Sequence, residues 1–189
     1  MSSPVGHSLT GMILYLIYNK WGSLWSNRNE IPLYIFFTVA PDLDLIPGLL
    51  GGDIYRYHHG PPHSIFFALL FTLPFSLPRL KRGLKRFLSS WGIFFSLYCT
   101  HLLLDLFTID RRPPYGSPLF WPIWDRYLSS PITFLPPVYK ESWTALVSLN
   151  NLYTMLIEVA IFLPLLLLIY WYRQSKGERI QATVRHYDK

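Results

Sequence analysis

Cysteine is almost absent from this sequence: Cys99 stands alone. A single thiol excludes an internal disulfide, and without a Cys pair the zinc-ribbon and dithiol redox readings fall away. Charge is scarce as well, at 15% of residues, well below the roughly 25% of an ordinary soluble domain. No internal repeat is evident, and the N-terminus has neither the basic n-region nor the cleavage site of a signal peptide. The basic residues are not interleaved with polar structure, so no direct nucleic-acid binding is expected.

What fills the sequence instead is apolar: 51% hydrophobic and 17% aromatic over 189 residues. This composition implies residence in a lipid bilayer. The net charge of +6 is concentrated in two blocks, Arg79, Lys81, Arg82, Lys85 and Arg86, then Arg173, Lys176, Arg179, Arg185 and Lys189. Both adjoin apolar runs and read as cytoplasmic anchors under the positive-inside rule. The apolar segments are Ser8 to Tyr18, ending at Lys20; Leu33 to Ala40, entered through Ser26-Asn27-Arg28-Asn29-Glu30; Ile65 to Leu77; Leu88 to Phe107; and Asn150 to Tyr172. The expected fold is an all-α integral membrane bundle of about five helices, some short or broken. A Pro- and aromatic-rich loop region, Arg111 to Ser148, separates the fourth from the fifth, and loops with short interfacial helices are expected there. Residues 1–172 form one membrane-embedded domain and 173–189 a basic cytoplasmic tail.

Polar residues interrupt this pattern at few places. His101 and Asp105 stand four apart in an apolar run, so on a helix they share a face. A carboxylate there costs several kcal/mol unless it is paired or coordinated, and His with Asp is an ordinary ligand set for zinc-like ions. Pro41-Asp42-Leu43-Asp44 breaks the second segment, and irregular charged backbone at membrane depth points to a cavity or polar site. Tyr57-His58-His59-Gly60-Pro61-Pro62-His63 carries three histidines within six residues before the third segment.

With both basic blocks inside, the third segment runs inward, the fourth outward and the fifth inward. His7, Asp42, Asp44, His63, His101 and Asp105 then fall toward the non-cytoplasmic face. Glu158, roughly 12 Å into the fifth segment, reaches the same layer. Each has a bland alternative: a structural hydrogen bond for His101 with Asp105, a solvated turn for Asp42 and Asp44, a loop position for His58 or His59, and a helix-helix hydrogen bond for Glu158. Convergence of five of the six histidines on one face favours a site, with His186 in the basic tail as ordinary surface. The ligands chosen on this basis are His63, His101 and Asp105 with one of Asp42 and Asp44. The other Asp, or Glu158, would orient a ligand or act as base, and His58 or His59 would contact an anionic substrate.

These residues resemble the YdjM-like membrane-bound metal-dependent hydrolases, described as LexA-binding inner-membrane hydrolases. The resemblance is carried by His7; Pro41, Asp42 and Asp44 as P-D-x-D; His58, Gly60, His63 and Ser64 as H-x-G-x-x-H-S; His101 and Asp105 as H-x-x-x-D; and Gly116, Leu119, Phe120, Trp121 and Pro122. Many relatives place an Arg after the first loop His, where this chain has His59. More distantly, the ligand order is similar to that of zinc-dependent phospholipase C and the zinc nucleases. That similarity implies one metal on Asp42 or Asp44, His63, His101 and Asp105, with Asp105 bridging to a second near His7. Those enzymes continue with two more histidines and a carboxylate, and no histidine lies here between His101 and His186, so a three-metal site is not expected. Binding to a cytoplasmic regulator is implied by the resemblance alone.

The reading that follows is a hydrolase of the inner (cytoplasmic) membrane using one or two divalent ions, zinc foremost. His7, Asp42, His63, His101 and Asp105 are its metal ligands and Asp44, His58 and Glu158 its catalytic candidates. A bound Zn²⁺ lowers the pKa of its water toward about 7 and polarises a scissile oxygen. A phosphoester at the membrane surface, a lipid included, is the expected substrate. The competing readings are a metal or ionic cluster that only staples helices, a partner for a regulator, and a metal transporter; transport would spread polar residues through the membrane depth, whereas these gather at one end. Cysteine-accessibility labelling of Lys81→Cys and Lys176→Cys is expected to report the cytoplasmic side for both, and labelling from opposite sides would dismantle the topology that assembles the site.

Overall fold

The computed structural model describes residues 1–19, 28–51, 57–111, 113–140 and 142–187; Lys20, the Ser26-Asn27 part of the polar link and Lys189 lie outside them. The described residues are helical throughout their ordered elements, with two isolated bridges and no strand. The helices are α1 (Pro4–Tyr18), α2 (Ile31–Val39), α3 (Leu45–Leu50), α4 (Ile65–Ser76), α5 (Leu84–Leu106), α6 (Trp143–Leu146) and α7 (Leu149–Tyr187). Short 3₁₀ turns join several of them, notably Ala40–Asp44 between α2 and α3 and Pro61–His63 before α4. Three stretches, Arg28–Leu50, Leu84–Leu106 and Thr144–Lys176, are long and apolar enough to cross a membrane.

α1 begins four residues earlier than its apolar run, because Ser3 caps it by accepting from the Val5 and Gly6 amides and Pro4 occupies the first turn. That extension brings His7 inside the helix. α1 is short and central, packed against α2, α5 and α7. Ile13, Tyr15 and Leu16 meet Tyr34 and Phe37 of α2, Phe94 and Leu97 of α5, and Phe162 and Leu166 of α7. Phe37 stacks on Phe94 with ring centroids 4.5 Å apart. Hydroxyls inside the bundle return to their own helix, Thr10 to the His7 carbonyl and Thr72 to the Ala68 carbonyl, as backbone-satisfying side chains do where water is absent.

The outward faces are apolar instead of polar. Phe66, Leu70, Leu84, Leu88, Leu165, Leu168 and Trp171 are exposed, the expected inversion for helices solvated by lipid. The protein is a multi-pass membrane protein. α7 runs unbroken past the apolar span, so the basic tail from Arg173 continues as helix to Tyr187.

The long connection between α5 and α7 lies over the end of the bundle where α5 finishes. The Phe107 carbonyl accepts from the Phe134 and Leu135 amides, and the Leu119 carbonyl accepts from the Ile65 amide at the start of α4. Asn151 of α7 exchanges two 2.7 Å hydrogen bonds with the backbone of Tyr139. Gly116 has φ 93°, and a Cβ there would meet the Leu128 carbonyl oxygen at 2.1 Å, so only glycine fits that crossing.

Close packing of α1 on α2 depends on Gly11, where a Cβ would come within 2.7 Å of Thr38 Oγ1 and 3.2 Å of the Ile35 Cα. Gly11→Ala is expected to lower stability by about 1–3 kcal/mol through overpacking. Gly92 of α5 has nothing within 4 Å of its added Cβ, so Gly92→Ala is expected to be neutral or stabilising by up to about 1 kcal/mol. Thermal unfolding in detergent compares the two, and equal behaviour would contradict the packing argument.

Candidate metal centre

The α5 face built from His101 and Asp105 meets three other elements at one end of the bundle. His7 arrives from the first turns of α1, Asp42 and Asp44 from the 3₁₀ break, and His63 from the turn that Ser64 closes by capping α4. The break exists because Pro41 cannot continue the backbone ladder of α2, and it turns Asp42 and Asp44 inward, where both are buried. Ser64 accepts from the Phe67 amide and donates to the Pro61 carbonyl, fixing the residue just before it. Tyr98 holds the same turn by donating to the Pro62 carbonyl at 2.8 Å.

Asp105 lies at the centre. Its Oδ1 is 3.4 Å from His7 Nε2 and accepts from the Ser2 amide at 2.9 Å; its Oδ2 is 3.2 Å from His101 Nε2 and 3.6 Å from His63 Nε2. The His7 and His101 rings stack, with centroids 3.8 Å apart. Asp42 Oδ1 is 3.7 Å from His101 Nε2 and 3.9 Å from His63 Nε2, and neither of its oxygens meets a hydrogen-bond donor among the described residues. The His63 and His101 Nε2 atoms are themselves only 3.4 Å apart.

The outer ring nitrogens explain this orientation. His101 Nδ1 lies 2.8 Å from the Thr38 carbonyl; a carbonyl only accepts, so the proton sits on Nδ1 and the Nε2 lone pair faces the cluster. His63 Nδ1 lies 3.0 Å from Asp44 Oδ2, and Asp44 Oδ1 lies 2.9 Å from His58 Nδ1. Asp44 therefore sits between two imidazoles on their outer side, whereas Asp42 faces inward. Carboxylates and carbonyls behind histidines are how metal-ligating rings are fixed. Two groups, His7 with His101 and Asp105, and Asp42 with His63 and His101, each bring one potential ligand atom per residue within 4.8 Å of one another. They share His101. The donor set fits one or two zinc-like divalent ions, because a buried carboxylate without donors among the described residues, beside the His101 Nε2 lone pair, is stabilised by a cation.

Electrostatics in the loop agrees. Burial pushes His63 down, but the carboxylates of Asp105 and Asp44 beside it raise it to about 9. Burial pushes His58 well below the ordinary imidazole range, helped by Lys140 and His63, and pushes His59 down likewise, helped by His58 and His63. The two carboxylates beside His63 thus favour positive charge at that position, whereas burial disfavours it on the outer two rings.

His59 takes a left-handed backbone, φ 57°, a conformation that costs roughly 1–2 kcal/mol outside glycine. It turns the ring away from Asp44 toward Asp110, 3.7 Å distant. Glu158 is not in the cluster. Its carboxylate accepts from the Ser2 hydroxyl at 2.6 Å, the Ser3 amide at 2.7 Å, the Gly6 amide at 3.2 Å and the Ser3 hydroxyl. It ties α7 to the start of α1, a charge placed at a helix N-terminus. Thr38, Ser2 and Asp110 join the surroundings of the site without having been singled out in the sequence. Ser-Ser-Pro before an apolar run is a helix-start signal that leads to Ser2 and Ser3, but nothing local marks the Thr38 carbonyl.

A family model described as YdjM inner membrane protein matches residues 1–177. The chain belongs to this family. No significant match is found among curated proteins or among solved structures. In this YdjM-family chain all five residues read as ligands, His7, Asp42, His63, His101 and Asp105, lie in one buried cluster, with Asp44 and His58 adjoining it. Asp44→Asn keeps one acceptor where two imidazoles need two, so divalent-metal affinity is expected to fall about 10–100-fold. Asp42→Asn is expected to lose more. Competition titration with a zinc chelator measures both, and wild-type affinity in Asp44→Asn would remove Asp44 from its orienting role.

Proposed function

We propose that this membrane protein is a metal-dependent hydrolase acting on a phosphoester at the membrane surface, with its site toward the non-cytoplasmic face. The observation that carries the reading is Asp42: a buried carboxylate with no donor on either oxygen among the described residues, facing the Nε2 atoms of His63 and His101. His7, Asp42, His63, His101 and Asp105 would hold the ion. When bound, a divalent ion supplies a water acidified toward neutrality and polarises a phosphoryl oxygen.

The chain's own groups supply the rest. Asp44 positions His58 and His63, and the Thr38 carbonyl positions His101. His58 and His59 line a cavity of about 140 Å³ together with Asp110 and Arg111, so an anionic group entering there would meet a permanent cation and two imidazoles beside one carboxylate. Asp105 also borders a cavity of about 360 Å³ shared with residues of the α5–α7 connection. Glu158 serves the architecture in this reading, since its oxygens are engaged by Ser2, Ser3 and Gly6.

One observation favours a second reading, a cluster that only staples helices or supports a regulator's docking: His7, His63 and His101 are each 0% exposed. The two readings differ in what fails first. If the site is catalytic, His101→Ala lowers metal content and reduces hydrolysis at least about 100-fold, while the bundle still forms on its apolar packing. If it is a staple, the same change leaves Asp105 short of a partner, costing several kcal/mol of stability with no turnover to lose. Metal stoichiometry, detergent melting and turnover on phosphomonoester, phosphodiester and phospholipid panels, with Asp125→Asn as an exposed control, separate them. Turnover persisting in metal-free protein would overturn the catalytic assignment.

A further inference from the structure

At the opposite end of the bundle, the basic sequence around Arg79 to Arg86 encloses space instead of lying flat. The end of α1, the start of α2, the turn after α4 and the first turns of α5 line a cavity of about 570 Å³. Among the described residues four cations border it, Arg79, Arg82, Lys85 and Arg86, against one carboxylate, Glu30. Arg79 is positioned by donating to the Phe75 carbonyl at 3.2 Å and by lying 5.0 Å over the Phe94 ring. From α7, the buried Arg173 donates to the Asn19 carbonyl at 2.6 Å, so the second basic block meets the same end.

A second observation is independent of the charges. Ser90 borders the cavity, is 8% exposed, and its hydroxyl has no hydrogen-bond partner among the described residues. Buried hydroxyls are ordinarily satisfied, and a ligand oxygen in the cavity would accept this one. Ser90 lies eleven residues before His101 on α5, roughly 16 Å along the axis, so the cavity is separate from the metal centre.

The polarity of the walls names the ligand. The cations share the lining with Leu33, Ile93 and Phe94, and the exposed Leu84 and Leu88 continue an apolar surface along α5. Guanidinium groups match phosphate oxygens in paired geometry, and a phosphate among the cations leaves acyl chains free to follow the apolar surface. We propose that this cavity seats the phosphate headgroup of an anionic phospholipid from the bilayer itself. The proposal does not rest on the hydrolase reading.

The test uses the full chain in a neutral maltoside detergent, titrated with dioleoyl-phosphatidylglycerol, dioleoyl-phosphatidylcholine or inorganic phosphate, with bound lipid read by native mass spectrometry and melting temperature read in parallel. Phosphatidylglycerol is expected to bind saturably and raise the melting temperature, and phosphatidylcholine to do neither. Combined Arg82→Gln, Lys85→Gln and Arg86→Gln is expected to weaken that binding about tenfold or more. Ser90→Ala is expected to weaken it severalfold and Glu30→Gln to strengthen it, a gain that mere structural damage does not produce. Arg126→Gln, in the connection beyond α5, is expected to change nothing. Equal retention of the two lipids, or wild-type binding in the triple variant, overturns the proposal. Inorganic phosphate that protects equally and displaces the lipid overturns the lipid source in favour of a free phosphate.

Discussion

The constraint on which this architecture depends is the burial of Asp105. A carboxylate on an otherwise apolar helix costs several kcal/mol unless positive charge or donors reach both oxygens. Here one oxygen faces His7 and takes the Ser2 amide, and the other, without a hydrogen bond among the described residues, faces His101 and His63. Reaching it requires the beginning of α1, the broken end of α2 and the turn before α4 to arrive at one point, and each carries a local device for doing so: the Ser3 cap, the Pro41 break and the Ser64 cap.

Apolar packing makes that arrangement affordable. α1 is short and sits at the centre of the bundle, held close to α2 through Gly11 and to α7 through Gly6, where a Cβ would meet the Glu158 carboxylate carbon at 2.8 Å. Glu158 therefore belongs to the same design from the other side, fixing the segment that delivers Ser2 to Asp105. The connection between α5 and α7 closes the layer above, leaving cavities beside His58, His59 and Asp105. The bundle is polar at both ends in different ways: buried acids and imidazoles gather at one, and Arg79, Arg82, Lys85 and Arg86 border a cavity at the other.

Much of this was legible in the residues. An apolar composition with two basic blocks implied membrane helices of defined direction, and the direction alone carried His7, Asp42, His63, His101 and Asp105 to one end. The four-residue spacing of His101 and Asp105 put them on one helical face because 3.6 residues make a turn. Helix ends were less legible. α1 starts at Pro4, before its apolar run, because a cap and not hydrophobicity decides where it begins. α7 continues to Tyr187 because the basic tail holds no proline, and its one glycine, Gly177, does not stop the helix.

The amino-acid sequence by itself determined which residue types would need partners and that they would gather at one end of the bundle, since hydropathy, charge bias and helical period are local properties. Only the tertiary structure decided how those residues divide their work. Asp42 and Asp44 are two positions apart on a 3₁₀ turn, and which of them faces the Nε2 atoms and which stands behind His58 and His63 follows from where α4 and α5 dock against that turn. Glu158 and His101 occupy comparable depths on their helices, yet α1 passes between the choices: its N-terminal amides and hydroxyls take the Glu158 oxygens, and its His7 ring stacks on His101. Those assignments depend on the rotation of one helix against another, a quantity set by packing over the whole bundle and absent from any single segment.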